Sequence, residues 1–360
     1  MTTSTDRPGG GPAAPIRPAS PPAEGAWLGL RYQLVHRLVR RPHAEVWAGY
    51  DVHRGEDVEL TVLRPGTGPL LHRAFLDRVR LLSGIDHPGV AGVGAYGEAP
   101  LVVAAPDRPA TAVPSRVDVA FAATRPPRGL PLSRTACGTD GLGLSRSLGL
   151  IAQAARALQE AHRAGLTHGT LNPENLFVGH GLDLTVVDFP VGTGELPGGL
   201  GDAPESPLPT TDPYADNGFT QAGQVYRAPE LGRPGGGVPT PLSDLYALGV
   251  IAFECLAGRH PLDEVEALSL ADAPWGADAR PLPENFPADV RWVVATAMQP
   301  DPHHRFTSAA QFAQALEELS ARLSAGDCAP AVTLRRPDLP APARTPSVSR
   351  GRPGSAHGGR

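Results

Sequence analysis

The chain has 360 residues, a net charge of −5, 41% hydrophobic and 19% charged residues. That is enough apolar sequence for one large core or two modest ones, and too mild a charge to argue for a nucleic-acid partner. A count of 42 glycines and 41 prolines predicts long irregular segments.

Three scattered cysteines, Cys137, Cys255 and Cys328, show no C-x-x-C spacing, so neither zinc nor a disulfide framework is expected. Free buried thiols fit a reducing cytoplasm. The N-terminus lacks the apolar core of a signal peptide, and no apolar run approaches the ~20 residues of a membrane helix. All 32 basic residues are arginine, and with so much Ala, Gly and Pro this points to a GC-rich bacterial genome.

Residues 1–26 are Thr, Ser, Pro, Gly and Ala with few apolar side chains, and are expected to be disordered. Strand-like runs follow at Tyr32–Val35, Ala44–Tyr50 and Asp57–Leu63, with a turn at His53-Arg54-Gly55. A helical pattern covers Leu70–Leu82 and is followed by His87-Pro88. Leu101–Ala105 reads as a core strand. Residues 106–144 are rich in Pro, Gly, Ala and Thr and read as a mobile surface insertion, with Val117–Phe121 as an extra strand inside it.

Leu148, Ile151, Ala155, Leu158 and His162 repeat at helical spacing. Next comes LTHGTLNPENLFV, residues 166–178: a polar loop, then a short buried strand. A second apolar run, Leu184–Val187, ends in Asp188-Phe189-Pro190. Two buried strands each deliver a polar residue, Asn175 and Asp188, to one place.

The segment Val191–Gly223 carries Glu195, Asp202, Glu205, Asp212 and Asp216 without a single arginine, and closes on Tyr226-Arg227-Ala228-Pro229-Glu230. Ser243-Asp244 is placed as the cap of an apolar helix reaching Ala257. Asp289–Met298 and Ser308–Leu323 are two further helices, the last opened by a Ser308/Gln311 capping box. Residues 325–360 form an arginine-bearing tail expected to be disordered.

These motifs resemble the eukaryotic-type, or Hanks-type, bacterial Ser/Thr protein kinases across Arg31–Leu323. His168-Gly169-Thr170-Leu171 with Asn175 stands for the H-R-D-L-x-x-x-N loop, Asp188-Phe189-Pro190 for D-F-G, and Ala228-Pro229-Glu230 for A-P-E. The resemblance implies an α+β, two-lobed fold over residues 27–324. A small β-rich N-lobe with helix αC would span about 27–105, and a larger, mainly helical C-lobe about 145–324. Residues 106–144 would be a long hinge insertion.

The resemblance gives structural roles to His168 and Phe189 as stacked residues, Asp244 as the anchor of the loop backbone, and Glu230 with Arg305 as an ion pair. Asn175 and Asp188 are the implied residual Mg²⁺ ligands. The chemistry around them is depleted. The glycine loop falls on Val39, Arg41, Ala44 and Val46, and only the valine matches. Val46, Glu59 and Thr61 outline a degenerate nucleotide pocket, in which Thr61 replaces the lysine and Glu59 sets a carboxylate where adenine would pack. Thr170 replaces the catalytic aspartate, and a threonine hydroxyl is no base at neutral pH. Arg78 stands at the αC glutamate and is expected to bridge to Asp188.

The reading is therefore a pseudokinase, a regulatory or scaffold module that binds protein, with an active Ser/Thr kinase or its substrate as the expected partner. On this reading the chain is no enzyme and needs no cofactor. The alternatives are an atypical Ser/Thr kinase with weak Mg-ATP binding, or a nucleotide sensor without transfer. Thr210, Thr211, Ser347 and Ser349 are candidate phosphate acceptors.

Overall fold

The computed structural model describes residues 24–41, 43–103, 115–135, 142–189, 225–231, 237–262 and 280–325. The acidic stretch Glu195–Asp216 with Thr210 and Thr211, the tail with Ser347 and Ser349, and Cys137 and Cys328 lie outside the described residues.

The strands between Trp27 and Thr124 make a sheet that closes on itself. Strands β1 (Trp27–Leu28), β2 (Tyr32–Arg40), β3 (Ala44–Asp51), β4 (Glu56–Leu63), β5 (Val93–Val103) and β6 (Ser115–Thr124) form a closed barrel in the order β1-β2-β3-β4-β6-β5. Two residues suffice for closure, because Trp27 and Leu28 pair with Gln33 and Tyr32 on one side and with Val102 and Leu101 on the other. Side-chain alternation then sorts the strands into two faces. Leu34, Trp47, Val58, Leu60, Val62, Leu101 and Val119 fill the interior.

The opposite face of β3, β4 and β6 carries Ala44, Leu63, Ala120 and Ala122. Helix α1 (Pro69–Ser83) lays Phe75 and Val79 against it. Pro69 at the first helical position suits the start of that helix, since its missing N–H would be unpaired there anyway.

Strand β6 corrects the expectation for residues 106–144. The expected extra strand at 117–121 is a ten-residue strand that runs Val103↔Ser115 through Val93↔Thr124 against β5 and also pairs with β4. It belongs to the barrel, which therefore continues past the boundary expected at residue 105. Only its middle, Val117–Phe121, reads as strand in the sequence, because Pro-rich stretches flank it on both sides.

Among the described residues four further helices follow: α2 (Leu144–Arg163), α3 (Pro241–Ala257), α4 (Ala288–Ala297) and α5 (Ala309–Ser324). Helix α3 is buried from Ser243 to Phe253, which explains its nearly continuous apolar sequence. Its cap is Thr240, three residues before Ser243. Thr240 and Ser243 exchange side-chain-to-backbone hydrogen bonds at 3.2 and 2.9 Å, and Pro241 fixes the first turn. Asp244 is thereby released for another task. At α5, Ser308 accepts from the Gln311 N–H at 3.2 Å, but the Gln311 side chain returns to the Thr307 N–H at 2.9 Å, so the capping box is shifted by one residue.

A small sheet of β7 (Leu130–Pro131), β8 (Leu176–Val178) and β9 (Leu184–Val186) lies beside these helices. Val90, in the segment joining α1 to β5, bridges to Val186 and ties this sheet to the barrel side. No helix among the described residues is long and apolar enough to cross a membrane.

Candidate functional site

The loop between α2 and β8 is held from below. Asp244 of α3 is 1% exposed and accepts from the His168 and Gly169 N–H groups, each at 2.8 Å, and contacts His162 Nε2 at 2.9 Å. Burial alone would raise the Asp244 pKa; His162 and the loop N–H groups outweigh it and hold the carboxyl below the ordinary range. His168 is fully buried and pushed down to about 4 by that burial, so it is neutral. Its Nε2 therefore donates to the Val187 carbonyl at 3.0 Å, and its ring meets Phe189 at 5.0 Å. A second anchor lies lower: Glu230 takes Arg305 in a two-pronged pair at 2.7 Å and 2.7 Å, and Arg305 also donates to the carbonyls of Gln299 and Leu242.

On this base the loop and β9 bring Asn175 and Asp188 together. Asn175 Nδ2 donates to Asp188 Oδ2 at 3.1 Å, while Asn175 Oδ1 is buried without a described partner. Asp188 has φ +75°, a left-handed conformation that an aspartate tolerates better than most residues.

The same Asp188 Oδ2 is bonded by the Arg41 guanidinium. Arg41 belongs to the turn between β2 and β3, where its N–H donates to the Ala44 carbonyl at 2.9 Å. Its side chain is 5% exposed. Burial lowers its pKa to about 10, which still leaves it cationic at neutral pH.

The expected Arg78–Asp188 bridge is not formed. Arg78 Nη2 donates instead to two carbonyls, Thr167 at 2.6 Å and Phe189 at 2.9 Å. An arginine does pair with Asp188, but it descends from the loop above rather than crossing from α1. The two guanidiniums together strap the barrel side to the loop side: Arg41 through Asp188, Arg78 through the carbonyls of Thr167 and Phe189. The sequence gives Arg41 only as a mismatch in the glycine loop and assigns it no partner. The signal that marks it is its place, an arginine where the resemblance calls for a glycine directly over the metal-ligand position.

The remaining candidate residues lie on β3, on β4 and in the loop before β8. Val46 pairs with Thr61 in the β3–β4 register, and both are buried on the side of the strands away from the barrel interior. Glu59, two residues before Thr61, shares that side. Burial pushes its carboxyl up to about 7, with Arg41 opposing the shift. Thr170 sits in the loop with its hydroxyl buried and unpartnered among the described residues.

This donor set does not suit a magnesium-bound triphosphate. One oxygen of Asp188 is already shared by a cation and an amide. A guanidinium occupies the space over it. The strand that would hold a cation for the phosphates carries a neutral hydroxyl, and a carboxylate stands nearby. No group of three or more His, Cys, Asp or Glu placed to hold a metal occurs among the described residues.

The buried loop anchor, the paired Asn175–Asp188 side chains and the Glu230–Arg305 contact are the features to set beside known proteins. No protein-family model matches the chain. It is 28% identical over 340 residues to the serine/threonine-protein kinase PknA of Mycobacterium tuberculosis, covering 94% of this chain and 69% of that protein. It is 30% identical over 362 residues to Pkn1 of Myxococcus xanthus, covering 95% of this chain and 46% of that protein, and 25% identical over 291 residues to PrkC of Bacillus subtilis, covering 79% and 40%. The chain is a homologue of bacterial Hanks-type Ser/Thr protein kinases.

Proposed function

We propose that this chain is a pseudokinase: a two-lobed, kinase-derived module that works by binding protein, with its phosphotransfer cleft filled by its own arginine. The observation that carries the reading is Arg41 on Asp188. Phosphoryl transfer depends on positioning and on metal ions that neutralise developing charge. Here the neutralising charge is a side chain fixed to the protein, which cannot carry phosphate or leave with product. The absence of any lysine and the neutral hydroxyl of Thr170 act in the same direction. Loss of a single stabilising donor typically raises a barrier by about 2.7–4 kcal/mol, and several are replaced at once.

What the frame retains is rigidity. Asp244, His168, Phe189 and the Glu230–Arg305 pair tie their segments together through the protein's own side chains. A fixed surface of that ancestry fits a protein partner, and an active Ser/Thr kinase or its substrate is the class we infer. The retained Asn175–Asp188 pair favours one competing reading, a sensor that binds Mg-ATP without transfer.

Incubation with γ-labelled ATP and Mg²⁺, run beside thermal unfolding with and without the nucleotide, separates the readings. The proposal predicts neither label transfer nor a shift. A shift without transfer would assign the sensor, and transfer abolished by Asp188→Asn would assign a kinase.

A further inference from the structure

The barrel has two ends, and they are finished differently. At one, Glu45 is fully buried, accepts from Trp47 Nε1 at 3.2 Å and lies in the field of Arg37, Arg64 and Arg40. That end is plugged. At the other, where Tyr32, Asp51 and Glu56 meet across β2, β3 and β4, a pocket of about 260 Å³ opens. It lies on the interior side of β4, lined by Val58, whereas Glu59 and Thr61 face the cleft. It is therefore a site separate from the cleft.

The floor of the pocket is apolar, made by the Tyr32 ring, Val58 and Ala123. Its rim is charged and unevenly paired. Arg31 is fixed: it grips Asp51 at 2.6 and 3.0 Å and lies over the Tyr32 ring at 4.9 Å. Arg54 is held loosely, by one 3.4 Å contact to Glu56 between side chains 52% and 44% exposed. Exposed pairs of that kind contribute little and exchange easily. Arg125 on the rim forms no ion pair with a described residue. Two adjustable guanidiniums thus face one adjustable carboxylate, which leaves one positive charge in excess.

We propose that this open end of the barrel binds a small organic acid, a carboxylate or phosphate monoester with a short apolar body. The apolar part would rest on Val58 and Ala123, and the anion would be taken by Arg125 and by Arg54 turned away from Glu56. Barrel mouths are common ligand sites, and a volume just under the ~300–1,000 Å³ typical of ligand pockets limits the guest to a small one. Arginine suits the role because its planar fork matches either anion.

The test uses the full chain, with phenyl phosphate and benzoate as probes and benzyl alcohol as the neutral analogue, followed by calorimetric titration. Saturable binding of at least one acid is expected, about tenfold or more weaker in Arg125→Glu, weaker again with Arg54→Gln added, and unchanged in Arg134→Glu, an exposed arginine that does not line the pocket. The neutral alcohol should bind at least about tenfold more weakly than the acids. Thermal unfolding of each variant checks that the barrel is intact. Absence of saturable binding by either acid, equal binding of the alcohol, or indifference to Arg125→Glu in a folded variant would overturn the proposal.

Discussion

Arg41→Ala is the most informative single change. The Arg41 and Asp188 side chains are 5% and 10% exposed, so the pair is shielded on both sides. Removing one partner of a buried pair leaves an uncompensated charge and costs about 3–5 kcal/mol. Asp188 keeps its Asn175 hydrogen bond, and water can enter the space Arg41 leaves, so the low end, about 3 kcal/mol, is expected. For a domain of this size that is a fall in Tm of roughly 6–12 °C. Asp188→Asn should cost a similar amount, because it strands the arginine instead. The double variant should lose far less than the sum, giving a coupling of about 2–3 kcal/mol in a double-mutant cycle read by urea unfolding. Strict additivity, or a loss below about 0.5 kcal/mol in both single variants, would show that Arg41 does not hold Asp188 in solution.

Glu59 gives a pH signature. Its folded pKa, about 7, lies above the ordinary 4.5, so the folded state holds a proton that the unfolded chain has released between those values. Its contribution to stability is complete below about pH 4.5 and is lost as pH rises to 7, by roughly 2–3 kcal/mol after discounting for partial exposure. Glu59→Gln should flatten that slope, and an unchanged slope would remove the carboxyl from the cleft interior. Arg305→Lys should cost about 2–4 kcal/mol by denaturant unfolding, since an ammonium cannot reproduce the two-pronged contact with Glu230 and the bonds to Gln299 and Leu242; a loss within error would contradict the anchoring role. Thr170→Asp should leave label transfer from ATP undetectable, because restoring a base does not remove Arg41 or supply a lysine. Transfer gained by that one substitution would mean the cleft was already competent.

Much of the frame was legible because its signals are local. Helix α2 shows its apolar face every three to four residues, and β8 and β9 are short apolar runs bounded by polar turns. Errors came where partners are distant. Strand β6 is specified by pairing with β4 and β5, and the Pro- and Gly-rich stretches beside it gave no local sign of that. The start of α3 was placed at Ser243 because serine before an apolar run is a cap signal, while Thr240-Pro241 supplied the stronger one.

The cleft shows the same limit. Charge logic placed an arginine on Asp188, but choosing between Arg41 and Arg78 needs the path of the β2–β3 turn and the direction of the α1 side chains. Two carbonyls, Thr167 and Phe189, claim Arg78 first, and backbone acceptors leave no trace in a pattern of residue types.

Calorimetric titration of Mg-ATP into the wild type and into Arg41→Gly tests most directly whether the arginine has taken the metal's place. The account predicts no binding heat in the wild type and magnesium-dependent binding gained in the glycine variant, where Asn175 and Asp188 are freed. Stoichiometric binding of Mg-ATP to the wild type, no tighter in the variant, would contradict it.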